Sequence, residues 1–190
     1  MELQKNQAWL DDWLADLKAN KDYLSQLDQK IGDGDHGNNM ARGAKAVEDK
    51  LAEKPAENTS DLFMQVAQLL MSKIGGASGP LYGSAFLAMA TAVKNSDDLT
   101  AIFAAGLDKI KQRGKAETGE KTMVDMWQAA IDALEADDIS IDRLDQARDE
   151  IIAMKASKGR ASYYGDRSVG EMDPGAESSY YLFKNVFKQV

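Results

Sequence analysis

The segment Asp28 to Met40 reads DQKIGDGDHGNNM and sets three aspartates, Asp28, Asp33 and Asp35, among three glycines just before a helix-like run. Carboxylates suit Mg²⁺, which demands octahedral oxygen ligation and is usually held by one or two carboxylates, with water and substrate phosphates completing the shell. Glycine permits positive φ and close approach of the backbone to a ligand. Residues from His36 onward stand where a helix would expose free amide groups and the positive end of its dipole, which favours phosphate. These residue types outline a hard-metal site and an anion site fused in one turn. Asp33 and Asp35, at alternate positions of an extended turn, point the same way, and Asp28 can fold back from a preceding helix end. A solvated, purely structural acidic loop is the alternative. An EF-hand does not fit, because Gly37 occupies the fifth loop position, where Asp or Asn belongs, and Ala44 the twelfth, where a bidentate Glu belongs.

Two further glycine-rich loops, GGASGPLYG at 75–83 and KGRASYYGDRSVGEMDPGA at 158–176, also precede predicted helices. Converging helix N-termini would build a phosphate cradle, whereas glycine that merely ends the preceding helix is the plain alternative. Arg160 could pair with a phosphate through its planar fork, or be an ordinary surface arginine. His36 is the single histidine of the chain. Beside two carboxylates it suits a phosphate contact or support of a metal ligand, or else a loop hydrogen bond. A covalent phosphohistidine, or a histidine that captures a substrate carbonyl, must be this residue or lie on another chain. The stretch GKAETGEKT at 114–122 invites a phosphate-loop reading and fails it. That motif needs a preceding strand, the residues before Gly114 read as helix, and Glu120 stands where the lysine belongs. Gly114 and Met123 remain candidates to line a pocket for a base, although methionine at helical spacing is more often core.

These loops need elements to hold them. Apolar residues recur at helical spacing in Leu62, Val66, Leu69 and Leu70, in Met123, Met126, Trp127, Ala130 and Leu134, and in Ile141, Leu144, Ile151 and Met154, and no comparable period-two run occurs. Ser60, Thr122 and Ser140 with Asp142 are candidate caps. The pattern predicts an all-α fold with eight helices near 3–19, 38–53, 60–74, 81–95, 98–112, 121–136, 140–156 and 176–188. Lys54 to Thr59 reads as an interhelix loop, and Ser157 to Gly175 as a long irregular segment of the kind that is commonly functional or mobile. With 190 residues and 44% hydrophobic content, one domain spanning 1–190 is expected.

Charge and composition exclude several classes. The 23 basic and 31 acidic residues give a formal charge of −8, and the basic residues are scattered, which argues against nucleic acid. A mononucleotide is still compatible, because bound metal can neutralise its phosphates locally. Cysteine is absent, so disulfides and thiolate ligation play no part and a reducing compartment is compatible. No export signal or membrane-spanning stretch is read, and the cytoplasm is the expected location.

Taken together, IGDGDHGNNMARG, GGASGPLYGSAF, GEKTMVD and KGRASYYGDRSVGEMDPGA resemble the nucleotide-binding subunit of dihydroxyacetone kinase, the DhaL family, in the family's order and over most of the chain. The related domain of fatty-acid kinases usually carries threonine where this chain has His36. The resemblance implies a closed barrel of eight antiparallel helices with the nucleotide held in the loops at one end. It implies that Asp28, Asp33 and Asp35 bind a pair of Mg²⁺ ions bridging the nucleotide phosphates. It also implies nucleotide contacts from His36, Gly37, Asn38 and Asn39, from Ala77 and Ser78, and from Gly114, Met123, Arg160, Asp173, Pro174 and Gly175. Phosphoryl transfer relies on positioning and charge neutralisation, so no catalytic side chain is expected beyond this metal and nucleotide centre.

The resemblance further implies a DhaK-like partner subunit that holds dihydroxyacetone, since the length leaves no room for that domain. The implied donor is a phosphohistidine on a DhaM-like protein of the phosphotransferase system, which phosphorylates tightly held ADP in place. Two alternatives stay open: exchange with free ATP, and a nucleotide-state sensor that binds a transcription regulator.

Overall fold

The computed structural model describes residues 2–190, and among these no β-strand is formed. Nine α-helices and one 3₁₀ segment follow in order: α1 (Leu3–Ala19), α2 (Lys21–Ile31), α3 (His36–Glu53), α4 (Thr59–Lys73), α5 (Ser78–Ala92), α6 (Leu99–Gly114), α7 (Met123–Glu135), α8 (Ile141–Ala153), the 3₁₀ segment (Arg160–Ser168) and α9 (Pro174–Phe187). The all-α expectation holds, whereas the count of eight missed α2. Its buried residues Leu24, Leu27 and Ile31 are helically spaced, but they are few in an otherwise largely polar run. The long irregular segment contains the 3₁₀ turns, which are interrupted at Gly165 (φ 55°).

Capping chemistry sets most helix starts. Thr122 closes a reciprocal capping box with Asp125, and Ser140 accepts from the Arg143 amide. The expected cap at Ser60 is displaced. Asn58 accepts from the Asp61 amide, and the Ser60 hydroxyl, inside α4, donates to the Ala90 carbonyl at 2.7 Å.

Helix α3 packs on α1, α2 and α4; α4 on α5; α5 on α6; α6 on α7; and α9 closes the circuit against α7, α8, α1 and α2. Inside lie Trp9, Trp13, Phe63, Phe86, Phe103, Trp127 and Phe183, all buried. Trp13 stacks on Phe86 at 5.7 Å, and Trp127 meets Phe183 edge-on at 5.1 Å. Helix α9 is buried along nearly its whole length, and its polar residues are correspondingly partnered. Glu177 takes two hydrogen bonds from Arg148, and Ser179 accepts from the Trp127 indole.

Residues at the helix ends from Asp28 to His36, Gly75 to Ser78, Gly114 to Met123 and Lys158 to Pro174 line a common cleft. The C-terminal ends of α2, α4, α6 and α8 and the N-terminal ends of α3, α5, α7 and α9 therefore meet at one end of the molecule. Every second helix presents a positive dipole end there.

Candidate functional site

At that end a cleft of about 710 Å³ opens among the α2–α3, α4–α5 and α6–α7 loops, the 3₁₀ segment and the start of α9. That volume falls within the range of small-ligand sites.

One rim carries the aspartates. Asp28, Asp33 and Asp35 each offer one carboxylate oxygen, and these oxygens lie within 4.8 Å of one another. Asp28, in the last turn of α2, also shapes the loop, because its Oδ2 accepts from the amides of Asp35 at 2.9 Å and His36 at 3.0 Å. Gly32 leaves room for this fold, since a Cβ there would stand 2.1 Å from the Asp28 Oδ1. Burial raises the Asp28 pKa; the His36 amide bond opposes the rise, and the neighbouring charge of Asp33 adds to it. Asp33 forms an ion pair with Arg160, which reaches over from the 3₁₀ segment. Three hard oxygen donors of like charge at this spacing fit a divalent cation such as Mg²⁺.

The floor is built from helix starts. His36, the first residue of α3, is buried, with Nδ1 3.1 Å from the Ser78 hydroxyl and Nε2 3.1 Å from the Ser178 hydroxyl. Burial lowers its pKa to about 4, so the ring is neutral near pH 7. Asn39 accepts from Arg42 at 2.7 Å, which aligns it beside Gly75. Helix α5 begins after Ala77 with no side-chain cap, unlike α4, α6, α7, α8 and α9, so its leading amides face the cleft without a competing side chain. An apolar wall of Leu81, Ile110 and Met123 stands beside Gly114.

The start of α9 also lines the cleft. Asp173 caps that helix by accepting from the Ala176 amide at 2.7 Å. Burial pushes its pKa up to about 7; the Ala176 amide resists, and the charges of Asp125 and Asp28 add to the rise. A carboxyl whose folded pKa is raised contributes stability that is complete below the unfolded value and lost as pH climbs through the folded one. In metal-free protein, the stability of wild type relative to Asp173→Asn should therefore fall between pH ~4 and ~7, by at most ~4 kcal/mol. Asparagine retains a capping oxygen, which isolates the charge. Paired urea titrations across that range check this, and a pH-independent difference would contradict it.

Of the residues singled out in the sequence, Asp28, Asp33, Asp35, His36, Asn39, Ala77, Ser78, Gly114, Met123, Arg160, Asp173, Pro174 and Gly175 all line this one cleft. Gly37 and Asn38 do not. Asn38 is exposed, and Gly37 is pressed against α2, where a Cβ would stand 1.8 Å from the Lys21 carbonyl oxygen. The sequence reading passed over Arg113 and Lys158, which line the cleft and give it two more cations. Lys158 sits two residues before Arg160 in the same glycine-rich loop and was legible as its companion; Arg113, in the last turn of α6, gave no signal beyond a basic helix end. Helix α6 runs to Gly114, so no strand precedes the GKAETGEKT segment.

Fold and cleft define a helical protein that brings three clustered carboxylates and the starts of several helices to one cleft. Residues 30–188 match the DAK2 domain family, and the chain belongs to it. It is 49% identical over 182 residues, covering 96% of this chain and 95% of the relative, to the PTS-dependent dihydroxyacetone kinase ADP-binding subunit DhaL of Lactococcus lactis. The corresponding PEP-dependent subunit of Escherichia coli is 37% identical over 184 residues, covering 88% of each chain. Among solved structures, the dihydroxyacetone kinase of C. freundii in complex with AMP-PNP and Mg²⁺ superposes with a TM-score of 0.77 at 26% identity, over 96% of this chain and 33% of that one. The chain thus spans about a third of that solved kinase. No helix among the described residues is long and apolar enough to cross a membrane.

Proposed function

We propose that the chain is the nucleotide-carrying phosphotransferase subunit of a dihydroxyacetone kinase, a single domain forming a closed helical barrel and working in the cytoplasm. It relays a phosphoryl group from the phosphohistidine of a DhaM-like donor to dihydroxyacetone on a DhaK-like subunit, with ADP as the resident carrier. The observation that carries this reading is that the three aspartates and the uncapped start of α5 open onto one cleft.

In this reading Asp28, Asp33 and Asp35 hold Mg²⁺, expected as a pair, which would supply positive charge against the phosphate oxygens. The aspartates act as ligands, not as acids or bases. The amides at the start of α5 and the cations Arg160, Lys158 and Arg113 bind and orient the phosphates, and Leu81, Ile110 and Met123 exclude water from the base. His36 positions Ser78 and accepts no phosphoryl group, because both ring nitrogens already face serine hydroxyls in a buried pocket. The histidine chemistry of donor and acceptor therefore belongs to other chains.

Reconstitution tests the reading. With a phosphohistidine donor and a dihydroxyacetone-binding subunit, dihydroxyacetone phosphate should form over many turnovers without free nucleotide. A requirement for one ATP consumed per product would contradict it.

A further inference from the structure

Lys121 is the most unusual charged residue outside the cleft lining. It is wholly buried and adopts a left-handed backbone at φ 61°. Its Nζ donates to three backbone carbonyls, Ile152 at 2.9 Å, Met154 at 2.8 Å and Ser168 at 2.6 Å, which uses every proton of the ammonium group. No carboxylate among the described residues forms an ion pair with it, so burial opposes the charge and lowers its pKa, while more distant Asp173 and Glu171 favour the charge. A buried ammonium is costly unless its geometry is fully satisfied, and here three carbonyls from two separate elements satisfy it.

Those elements identify the task. Ile152 and Met154 lie at the C-terminal end of α8, the negative end of its dipole, and Ser168 ends the 3₁₀ segment. Lys121 itself precedes Thr122, the cap of α7. A single side chain thus ties the wall carrying Met123 to the segment carrying Arg160. A second tie is made by Ser168, whose hydroxyl accepts from the Ala156 amide at 2.9 Å and donates to the Gly165 carbonyl at 2.6 Å. Elsewhere the segment has little core of its own. Ala161 packs in a small cluster with Ile31 and Ala156, and Tyr163 is 85% exposed.

We propose that Lys121 is a positioning residue that anchors the 3₁₀ segment and so sets Arg160 over the phosphate end of the cleft. This rests on the function proposed above for Arg160, and the test separates the two. In the full-length protein, Lys121→Met should speed amide exchange of residues 159–168 by about tenfold or more, while α4 and α5 keep wild-type protection. Release of bound Mg-ADP should accelerate by about tenfold, and the same substitution should change release less than about twofold in an Arg160→Ala background.

Exchange that rises equally throughout the chain, or an undiminished effect on release in the Arg160→Ala background, would overturn the proposal. Local exchange together with unaltered release from Arg160→Ala alone would instead overturn the functional reading of Arg160, leaving the anchor intact. If Lys121→Met does not fold, Lys121→Arg is judged by the same criteria, since it keeps the charge but cannot place three donors as the ammonium does.

Discussion

Asp33→Asn should weaken Mg-dependent nucleotide retention by at least about 100-fold, because even changes one shell out from a metal commonly cost 10–100-fold. The same variant should unfold, without metal or nucleotide, within about 1 kcal/mol of wild type. Two opposing effects produce that near-neutrality. The substitution removes an ion pair to Arg160 between side chains 62% and 42% exposed, a kind worth ~0–1 kcal/mol. It also removes a like charge held close to Asp28 and Asp35, which relieves repulsion. Equilibrium dialysis with labelled ADP, with and without Mg²⁺, measures the first effect, and thermal unfolding of the unliganded chain the second. Retention equal to wild type would remove Asp33 from the metal site. A large loss of unliganded stability would make its role structural.

Gly37→Ala should behave in the opposite way and destabilise the unliganded protein by ~3 kcal/mol or more. A Cβ at this position would stand 1.8 Å from the Lys21 carbonyl oxygen, 2.7 Å from the Ser25 hydroxyl and 2.8 Å from the Ser25 amide. Two of these atoms are backbone and cannot swing aside. Relief requires α3 to part from α2, which would pull apart the Asp28 bonds to the Asp35 and His36 amides. For a chain of this size the expected fall in Tm is about 6–12 °C. Gly114→Ala is the contrast, since the nearest atom is the flexible Leu81 Cδ2 at 3.2 Å, and its Tm should stay within a few degrees of wild type, by about 1 kcal/mol at most. Calorimetry of both variants checks the pair, and equal Tm values would contradict the close approach of α2 and α3.

Gly37 also illustrates what a sequence conceals. The resemblance implied a ligand contact for it, but a sequence does not reveal which face of a helix start turns toward the cleft and which toward a neighbour. Asn38, exposed next to Gly37, likewise stands off the cleft lining. Helix α2 escaped notice because its apolar stripe is only Leu24, Leu27 and Ile31 in a largely polar run, and α5 begins at Ser78, ahead of the reading from 81, because Pro80 fits a first turn where its missing amide proton costs nothing. The three aspartates, by contrast, were readable, because their chemistry depends on residue type and short spacing within one turn. Asp173 was placed by resemblance alone, whereas Arg160 and Met123 were already candidates from their own loops, and the chain brings residues so far apart in sequence to one cleft. Lys121 carried no signal at all, since nothing in GEKTMVD distinguishes a lysine satisfied by distant carbonyls from one in solvent.

The most direct test of the nucleotide-carrier reading is mass analysis of the nucleotide that acid releases from freshly purified, extensively dialysed protein. About one ADP per chain, lost when Mg²⁺ is chelated, is the predicted result. An empty protein that exchanges added Mg-ATP freely would contradict a resident carrier, and one that binds neither nucleotide would reduce the aspartate loop to a solvated turn.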